Sequence, residues 1–271
     1  MSRLLLIWVC CSLLLAACGP SPGTAETGDG PRIVSLLPSA TLTLVESGHA
    51  GNIVGVGEHD PAADRLLPRG TPRVGSFLDV DDERLAALHP TRVIVPAGTD
   101  LRVPEGAELL EQAYPRSVEE AAANIETLGG AEEAAAVRAA FAEAAEPGGP
   151  RVLLAFGTSP VWASGPGTVN DEVLRAAGGV NALADAAVPA VTLDEEALLG
   201  LAPDVVLLLL PGRDPEDARA ERAALKKTLE EGGVSCRVEA LVNPFVLLPG
   251  PNLPETLGLF RRALRGSGRG E

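Results

Sequence analysis

The chain has 271 residues, of which 46% are hydrophobic and only 3% aromatic, and its formal net charge at pH 7 is −15. This length is sufficient for one large or two ordinary domains with complete hydrophobic cores. Because nucleic acids and anionic lipid surfaces attract basic proteins, the acidic balance argues against both as partners.

The first 17 residues predict a secretory signal peptide. Arg3 supplies the positive start, and residues 4–15 form an apolar run that is too short to span a membrane. The run ends in LAAC, which matches a bacterial lipobox and predicts cleavage before Cys18, its acylation and a stable membrane anchor outside the cytoplasm. The alternative is an ordinary signal peptide with an incidental cysteine. Residues 18–30 are expected to form a lipidated, flexible tether.

Removal of the leader changes little else in the composition. Loss of Arg3 leaves 21 of the 22 basic residues against 37 acidic ones, a net charge of −16. With Cys10 and Cys11 removed and Cys18 acylated, Cys236 is the only thiol left, so no intramolecular disulfide is expected. We interpret Cys236 as a half-buried residue of a strand.

Residues 31–115 alternate short apolar segments with helical ones, which is typical of a parallel, doubly wound sheet. A helix is expected to begin at residue 38 and to stop at Gly48. The predicted strands cover residues 33–37, 53–56, 73–75 and 93–95.

Residues 116–149 differ in composition from the segments on either side and predict a helical bridge. They are rich in alanine and glutamate, and Ser117 with Glu120 forms a capping box, which is a good helix start. Gly129 and Gly130 leave open whether the bridge is one helix or two.

Residues 150–271 resume the alternation and predict a second α/β lobe. Residues 205–210 form a six-residue apolar strand that is expected to be buried on both faces, as in the centre of a parallel sheet. Further strands are predicted at residues 152–156 and 236–240, and helices from 170 to 178, 218 to 232 and 254 to 264.

One pattern occurs twice, 113 residues apart. Residues 82–95 (DERLAALHPTRVIV) and 195–208 (EEALLGLAPDVVLL) each contain a glutamate, a short amphipathic helix, a proline seven residues after that glutamate, and a buried strand. The repetition predicts two similar lobes with a cleft between them, and clefts at domain interfaces are common sites for small ligands.

Four motifs in order resemble the substrate-binding proteins of ABC importers for cobalamin, haem and ferric siderophores. They are RIVSLLPSAT at residues 32–41, PRVG at 72–75, the Gly-Gly-x-Asn run at 178–181 and the Pro-Gly-Pro turn at 249–251. The resemblance covers about residues 31–265, and its motifs lie in the order of the family.

The resemblance implies two lobes joined by one long helix, with only a small closure on ligand capture. It also implies that Glu83 and Glu196, one on the outer surface of each lobe, dock onto arginines of a membrane permease. Two equivalent carboxylates could position the protein on a two-subunit partner. The alternative is that both are solvated carboxylates favoured by the helix dipole.

The ligand is expected at the loops that follow the carboxyl ends of the strands. Helix N-terminal N–H groups near Ser39 to Thr41 could hold a carboxylate or phosphate. His59 could ligate the iron or cobalt of a bound macrocycle at the cleft edge, or could be a solvated loop residue. Tyr114 is expected to lie far from the cleft. The predicted ligand-binding residues are Ser39, Ala40, Thr41, His59, Phe77, Trp162, Arg213 and Phe245.

Three of those residues, Phe77, Trp162 and Phe245, could instead be ordinary core aromatics, and Arg213 an ordinary surface arginine. Cobalamin is the first choice of ligand because residues 37–41 resemble the corrinoid branch most. A haem or siderophore carrier and a non-transport sensing or scaffold lipoprotein are the alternatives. The sequence has no Gly-x-Ser-x-Gly, P-loop or His-Glu-x-x-His motif, and its three histidines are scattered, so neither an enzyme nor a resident cofactor or metal is predicted.

Overall fold

The computed structural model describes residues 30–143 and 148–266. The predicted signal peptide, Cys18 and the tether up to residue 29 lie outside these residues. From Pro31 onward the chain forms one compact unit.

The described strands fall into two main groups along the chain. In order they are β1 (Ile33–Ser35), β2 (Ile53–Val56), β3 (Gly75–Ser76), β4 (Asp79–Val80), β5 (Arg92–Pro96), β6 (Glu108–Gln112), β7 (Arg151–Ala155), β8 (Val161–Ser164), β9 (Val180–Asn181), β10 (Ala190–Leu193), β11 (Val205–Leu209) and β12 (Arg237–Leu241).

Helices separate most of these strands. They are α1 (Pro38–Glu46), α2 (Pro61–Leu66), α3 (Asp82–Ala87), α4 (Val118–Thr127), α5 (Ala131–Phe141), α6 (Val169–Ala176), α7 (Glu195–Leu201), α8 (Pro215–Glu231) and α9 (Leu253–Arg265).

The first lobe is built on a four-stranded sheet in the order β2-β1-β5-β6, with all neighbours parallel. The third strand expected at residues 73–75 is reduced to a single bridge between Arg73 and Val56, after which β3 and β4 form a small antiparallel hairpin. The strand β6 was not predicted, and it extends the sheet beyond β5.

The second lobe has a mixed sheet in the order β10-β8-β7-β11-β12, with β9 pairing alongside β7. The strands β7, β11 and β12 are parallel, whereas β8 and β10 run antiparallel to their neighbours. Every residue of β11 is buried, as expected for the central strand of a sheet covered on both faces. The predicted α/β class with two lobes is therefore confirmed.

The segment between the sheets contains two helices rather than the one long helix implied by the resemblance. The chain leaves α4 at Gly129, whose φ of +91° favours glycine and ends the helix, and then starts α5. The guanidinium of Arg138 on α5 contacts Glu119 at 2.8 Å and Glu126 at 2.6 Å on α4. These contacts hold the two helices together as a hairpin.

The hairpin formed by α4 and α5 contacts both lobes. Its buried side chains Ile125 and Val137 join the core of the second lobe, together with Leu207 of β11 and Phe260 of α9. At its turn, Leu128 packs with residues of the first lobe. The hairpin is thus anchored mainly on the second lobe and meets the first lobe at its tip.

The pattern repeated in the sequence folds into the same unit in both lobes. At the start of α3, Asp81 Oδ1 accepts a hydrogen bond from the backbone N–H of Arg84 at 2.9 Å. At the start of α7, Asp194 Oδ1 accepts one from the N–H of Ala197 at 2.8 Å. Each aspartate therefore caps its helix with the same three-residue offset.

The two units also end in the same way. His89 and Ala202, each directly before the proline of the pattern, have φ angles of 44° and 41°. Arg32 and Arg151 occupy equivalent positions at the start of β1 and β7, and each donates a side-chain hydrogen bond to a carbonyl at the end of the helix, at 2.7 and 3.4 Å. The repetition therefore extends from the residue pattern to individual hydrogen bonds.

Candidate functional site

A cavity of about 480 Å³ lies at the carboxyl ends of the second-lobe strands. Phe156 follows β7 and Leu247 follows β12, while the segment from Tyr114 to Arg116, which leaves the first lobe, lines the same cavity. Ligands of open α/β sheets commonly bind at this edge. Most of the lining is apolar; it comprises Tyr114, Pro115, Arg116, Phe156, Ser164, Gly167, Thr168, Val169, Asn170, Pro189, Ala190, Leu247 and Pro249.

A second cavity of about 460 Å³ adjoins the first and shares Phe156 and Leu247 with it. Its remaining lining is more polar and includes the predicted residue Arg213 with Asp214 and Asp217. The guanidinium of Arg213 forms a 2.8 Å ion pair with Glu221 of α8. This half of the site therefore carries acidic groups around a cation that is already paired.

Buried polar side chains fix the loop beside the larger cavity. Asn181 Nδ2 donates to the carbonyl oxygen of Ser164 at 3.1 Å and to Asp171 Oδ1 at 2.9 Å. The hydroxyl of Thr168 caps α6 by accepting from the N–H of Asp171 at 3.1 Å. Because these groups are satisfied internally, the first residues of α6 are held at the cavity wall.

Glycine is required next to this network. A Cβ atom added at Gly149 would overlap the carbonyl oxygen of Gly178, and one added at Gly179 would overlap the side chain of Leu174. The Gly-Gly-x-Asn run thus combines a close backbone approach with Asn181, which holds the loop.

The predicted anion site at the start of α1 differs from the expectation. Ala40 and Thr41 are 1% and 0% exposed, so their side chains are not available to a ligand. The Thr41 N–H already donates to the carbonyl of Leu37 at 2.9 Å. Only Ser39 is partly accessible, and a Cβ atom added at Gly250 of the second lobe would lie 3.6 Å from its carbonyl oxygen.

Thr41 instead supports a buried carboxylate. Its hydroxyl donates to Asp60 Oδ2 at 2.6 Å, and Asp60 Oδ1 accepts from the N–H groups of Ala62 and Ala63 at the start of α2. Burial raises the pKa of Asp60 above its ordinary value, although these hydrogen bonds and Arg73 act in the opposite direction. Thr41 and Asp60 therefore position α2 beside the cleft.

The other predicted residues of the first lobe are accessible. His59 is exposed directly before Asp60, and Phe77 is 42% exposed at the tip of the hairpin formed by β3 and β4. Neither lines the two cavities described above. Their role in ligand binding remains a prediction.

Trp162 and Phe245, the predicted aromatics of the second lobe, line neither of the two cavities. Trp162 is 58% exposed on β8, and its carbonyl oxygen accepts from the N–H of Phe156 at 2.8 Å. Residues opposed across antiparallel strands have neighbouring side chains on one face, which places Trp162 beside Phe156. Phe245 is partly buried, and its carbonyl oxygen accepts from Asn252 Nδ2 at 2.7 Å.

The sequence-based prediction for Tyr114 was wrong. Tyr114 follows the unpredicted strand β6, is 69% exposed and lines the larger cavity. Arg116, Phe156 and Leu247 also line it and were not predicted as ligand contacts. The one usable signal was Phe156, which ends a strand that the sequence did predict.

The lobes approach each other at two loops of the second lobe. A Cβ atom at Gly212 would lie 3.5 Å from Arg65 Nη2 of α2. The turn at Gly250 similarly faces the start of α1, 3.8 Å from Leu42 Cδ2. A Cβ atom at either position would make ordinary van der Waals contact with the first lobe, so these two loops lie against it.

Both predicted docking carboxylates are accessible. Glu83 and Glu196 are exposed, and each is the second residue of its capped helix, α3 or α7. Acidic residues in the first helical turn also interact favourably with the helix dipole, so this geometry is compatible with both interpretations of the pair.

Two features are absent from the described residues. Within residues 30–143 and 148–266, no group of three or more His, Cys, Asp and Glu side chains is arranged to hold a metal ion. Among the helices of the same two ranges, none is both long and apolar enough to cross a membrane.

No protein-family model matches the sequence. The vitamin B12-binding protein of Salmonella typhimurium is 27% identical over 205 residues, which cover 66% of this chain and 72% of that protein. The alignment therefore spans a large part of both chains.

Solved structures share the fold. The periplasmic haem-binding protein RhuT from Roseiflexus is 26% identical, with a TM-score of 0.66 over 86% of this chain and 99% of its own. A periplasmic haem-binding protein from Pseudomonas aeruginosa is 24% identical, with a TM-score of 0.70 over 88% of this chain and 94% of its own. The periplasmic vitamin B12-binding protein BtuF of Vibrio cholerae is 23% identical, with a TM-score of 0.63 over 87% of this chain and 96% of its own. These comparisons confirm the resemblance predicted from the sequence, to the periplasmic substrate-binding proteins of the cobalamin, haem and siderophore ABC importers.

Proposed function

We propose that this chain is an extracytoplasmic substrate-binding protein that captures a corrinoid, haem or ferric siderophore and delivers it to an ABC importer. Corrinoid remains the first choice, because the relatives matched by sequence are named vitamin B12-binding proteins. Haem is the second, because haem-binding proteins are among the similar structures. The proposed role is binding and delivery, without catalysis.

The observation that carries the proposal is the pair of adjoining cavities at the carboxyl ends of the second-lobe strands. Small-molecule sites are commonly concave, largely apolar and several hundred Å³ in volume. The aromatic side chains of Tyr114 and Phe156 in the larger cavity suit the flat, apolar surface of a macrocycle. The lobe contacts at Gly212 and Gly250 support a small closure around the ligand.

The proposal includes a membrane partner and an anchor. Glu83 and Glu196 would each contact a basic group on one of two permease subunits, because equivalent charges on equivalent helices suit a symmetric partner. Acylation of Cys18 would keep the protein at the membrane surface. A labelled fatty acid should be incorporated into the wild-type chain and not into Cys18→Ala, and an unlabelled wild-type chain would contradict the anchor.

A ligand screen on the purified full chain tests the binding function. Cyanocobalamin, haemin and ferric siderophores are compared by thermal unfolding and visible absorbance. A ligand at 100 times its Kd should stabilise the fold by about 2.7 kcal/mol. The matched variant Tyr114→Ala should bind the same ligand about tenfold more weakly, because it removes an aromatic wall.

The outcomes separate the candidate functions. Stabilisation by cyanocobalamin alone would support the corrinoid choice, and stabilisation by haemin alone would replace it with haem. If none of the ligands binds, the transport proposal fails and the alternative of a sensing or scaffold lipoprotein takes its place.

A further inference from the structure

Arg116 is the one charged residue that lines the larger cavity. It lies in the segment between β6 and α4, where its backbone N–H donates to Glu120 Oε2 at 2.7 Å. Its guanidinium reaches the cavity wall, because a Cβ atom added at Gly167 would lie 4.0 Å from Arg116 Nη2. An exposed cation therefore lies at the edge of a largely apolar space.

The guanidinium of Arg116 has no acidic partner among the described residues. No carboxylate oxygen in those ranges lies within 4.0 Å of its nitrogen atoms. The adjoining cavity differs, since its Arg213 is paired with Glu221 and lies beside Asp214 and Asp217. An anionic group would thus be attracted to the Arg116 end of the site and repelled by the other end.

The start of α6 adds to the positive potential at the same wall. Val169 and Asn170, the first two residues of this eight-residue helix, line the cavity, and the positive end of the helix dipole faces it. Two acidic residues follow in the first turn, but both are engaged elsewhere. Asp171 accepts from Asn181 and contacts Arg175 at 3.3 Å, and Glu172 accepts from the N–H of Val118 at 2.8 Å.

We propose that the larger cavity selects a ligand with an anionic group, a carboxylate or a phosphate, at the edge of its apolar framework, and that Arg116 binds this group. A guanidinium matches the planar geometry of a carboxylate or phosphate and forms charge-assisted hydrogen bonds with it. Tyr114, two residues earlier, and Asn170 also line this cavity, and each carries a polar group. The inference rests on the proposed function and specifies which feature of the ligand is recognised.

The test compares ligands that carry an anionic group with counterparts that lack it. Haemin, with two propionates, is paired with its uncharged dimethyl ester, and cyanocobalamin, with a phosphate, is paired with dicyanocobinamide, which lacks the nucleotide. Kd is measured for the full chain by equilibrium titration. The wild-type chain should bind the anionic member of at least one pair about tenfold more tightly than its counterpart.

Variants then assign this preference to Arg116. Arg116→Gln should make the two Kd values of the pair equal, because it weakens binding of the anionic ligand alone. Arg116→Lys should restore part of the preference for the anionic ligand. Arg262→Gln is the matched control, because this exposed arginine lies in the last turn of α9 and lines neither cavity. Its ratio should equal that of the wild-type chain.

Two different failures are distinguishable. Equal affinity for both members of each pair, or a ratio that survives Arg116→Gln, would overturn the role of Arg116 and leave the binding function intact. Absence of binding by every ligand would overturn the proposed function and this inference together. The pair that shows the preference also identifies whether the anion is a propionate or a phosphate.

Discussion

The two lobes share one unit in atomic detail and differ in almost everything around it. Both contain an aspartate-capped helix, a left-handed residue before a proline, and an arginine that binds the end of the helix. The first sheet has four parallel strands, whereas the second is mixed and has six. The two adjoining cavities are lined mainly by the second lobe.

This difference matches the two tasks of the proposed function. The proposed symmetric partner would require two equivalent contact surfaces, which Glu83 and Glu196 of the repeated unit would supply. The proposed ligand would require one asymmetric site, which the unrepeated loops would form. Variants made at equivalent positions in the two lobes can therefore test the comparison directly.

The largest effects are expected from the buried leucine in each repeated helix. Leu85 and Leu198, each two residues after the glutamate of the pattern, are 1% and 2% exposed. Leu85→Ala and Leu198→Ala should each lower the free energy of unfolding by about 2–5 kcal/mol, because each leaves a cavity in a core. Urea unfolding measures both. A loss below about 1 kcal/mol in only one lobe would break the equivalence.

Charge reversal at the two predicted docking residues should act on transport and leave ligand affinity unchanged. Glu83→Arg and Glu196→Arg are each expected to weaken permease binding about tenfold, and the two effects should add in the double variant. Permease affinity and uptake in proteoliposomes measure the effect. Asp82→Arg and Glu195→Arg are matched controls, with the same type of charge change one residue earlier in each helix. Equal losses in the controls would show that total charge, and not position, controls docking.

The two helix caps should contribute equally. Asp81→Ala and Asp194→Ala are each expected to cost about 1 kcal/mol in the free energy of unfolding, since each removes the side-chain bond that caps its helix. Asp81→Ala also removes an exposed ion pair with Arg84 Nε at 3.0 Å, which adds little to this cost. Asp→Asn at either position should retain most of that stability. A cost confined to one lobe would mean that the repeated hydrogen bonds differ in energy despite their similar lengths.

The smallest effect concerns Asp60, a feature of the first lobe. Because burial raises its pKa in the folded state, the folded chain holds this proton more tightly than the unfolded chain. The stabilisation from protonated Asp60 is present below its ordinary value of 3.8 and is lost as pH rises through the higher folded pKa. Asp60→Asn should therefore gain stability relative to the wild-type chain across this pH range. Urea unfolding from pH 3 upward measures the difference in the free energy of unfolding between the variant and the wild-type chain. A difference that does not change with pH would contradict the raised pKa.

The sequence predicted the buried elements well because their apolar patterns are continuous. The strand β11 and the helices α8 and α9 lie within three residues of their expected ends. It missed β6, whose sequence ELLEQ carries two glutamates and does not read as a buried strand. Without β6, the position of Tyr114 at the end of a sheet strand was not predictable.

The larger cavity depends on contacts that the sequence does not encode locally. Thr41 is removed from the predicted site by its bond to Asp60, 19 residues away. Arg116 meets Gly167 only because the chain between the lobes passes the start of α6. Such long-range neighbours are set by tertiary packing, whereas the repeated pattern is local and could be recognised from the sequence.

The position of Trp162 should allow ligand binding in the cleft to be followed by tryptophan fluorescence. The sequence contains two tryptophans, Trp8 in the predicted leader and Trp162 beside Phe156, so a processed chain would contain a single indole. Corrins and haems absorb in the near ultraviolet, where tryptophan emits, and would quench this fluorophore by energy transfer at short range. The intrinsic emission of the processed protein would then report cleft occupancy directly, without any attached dye.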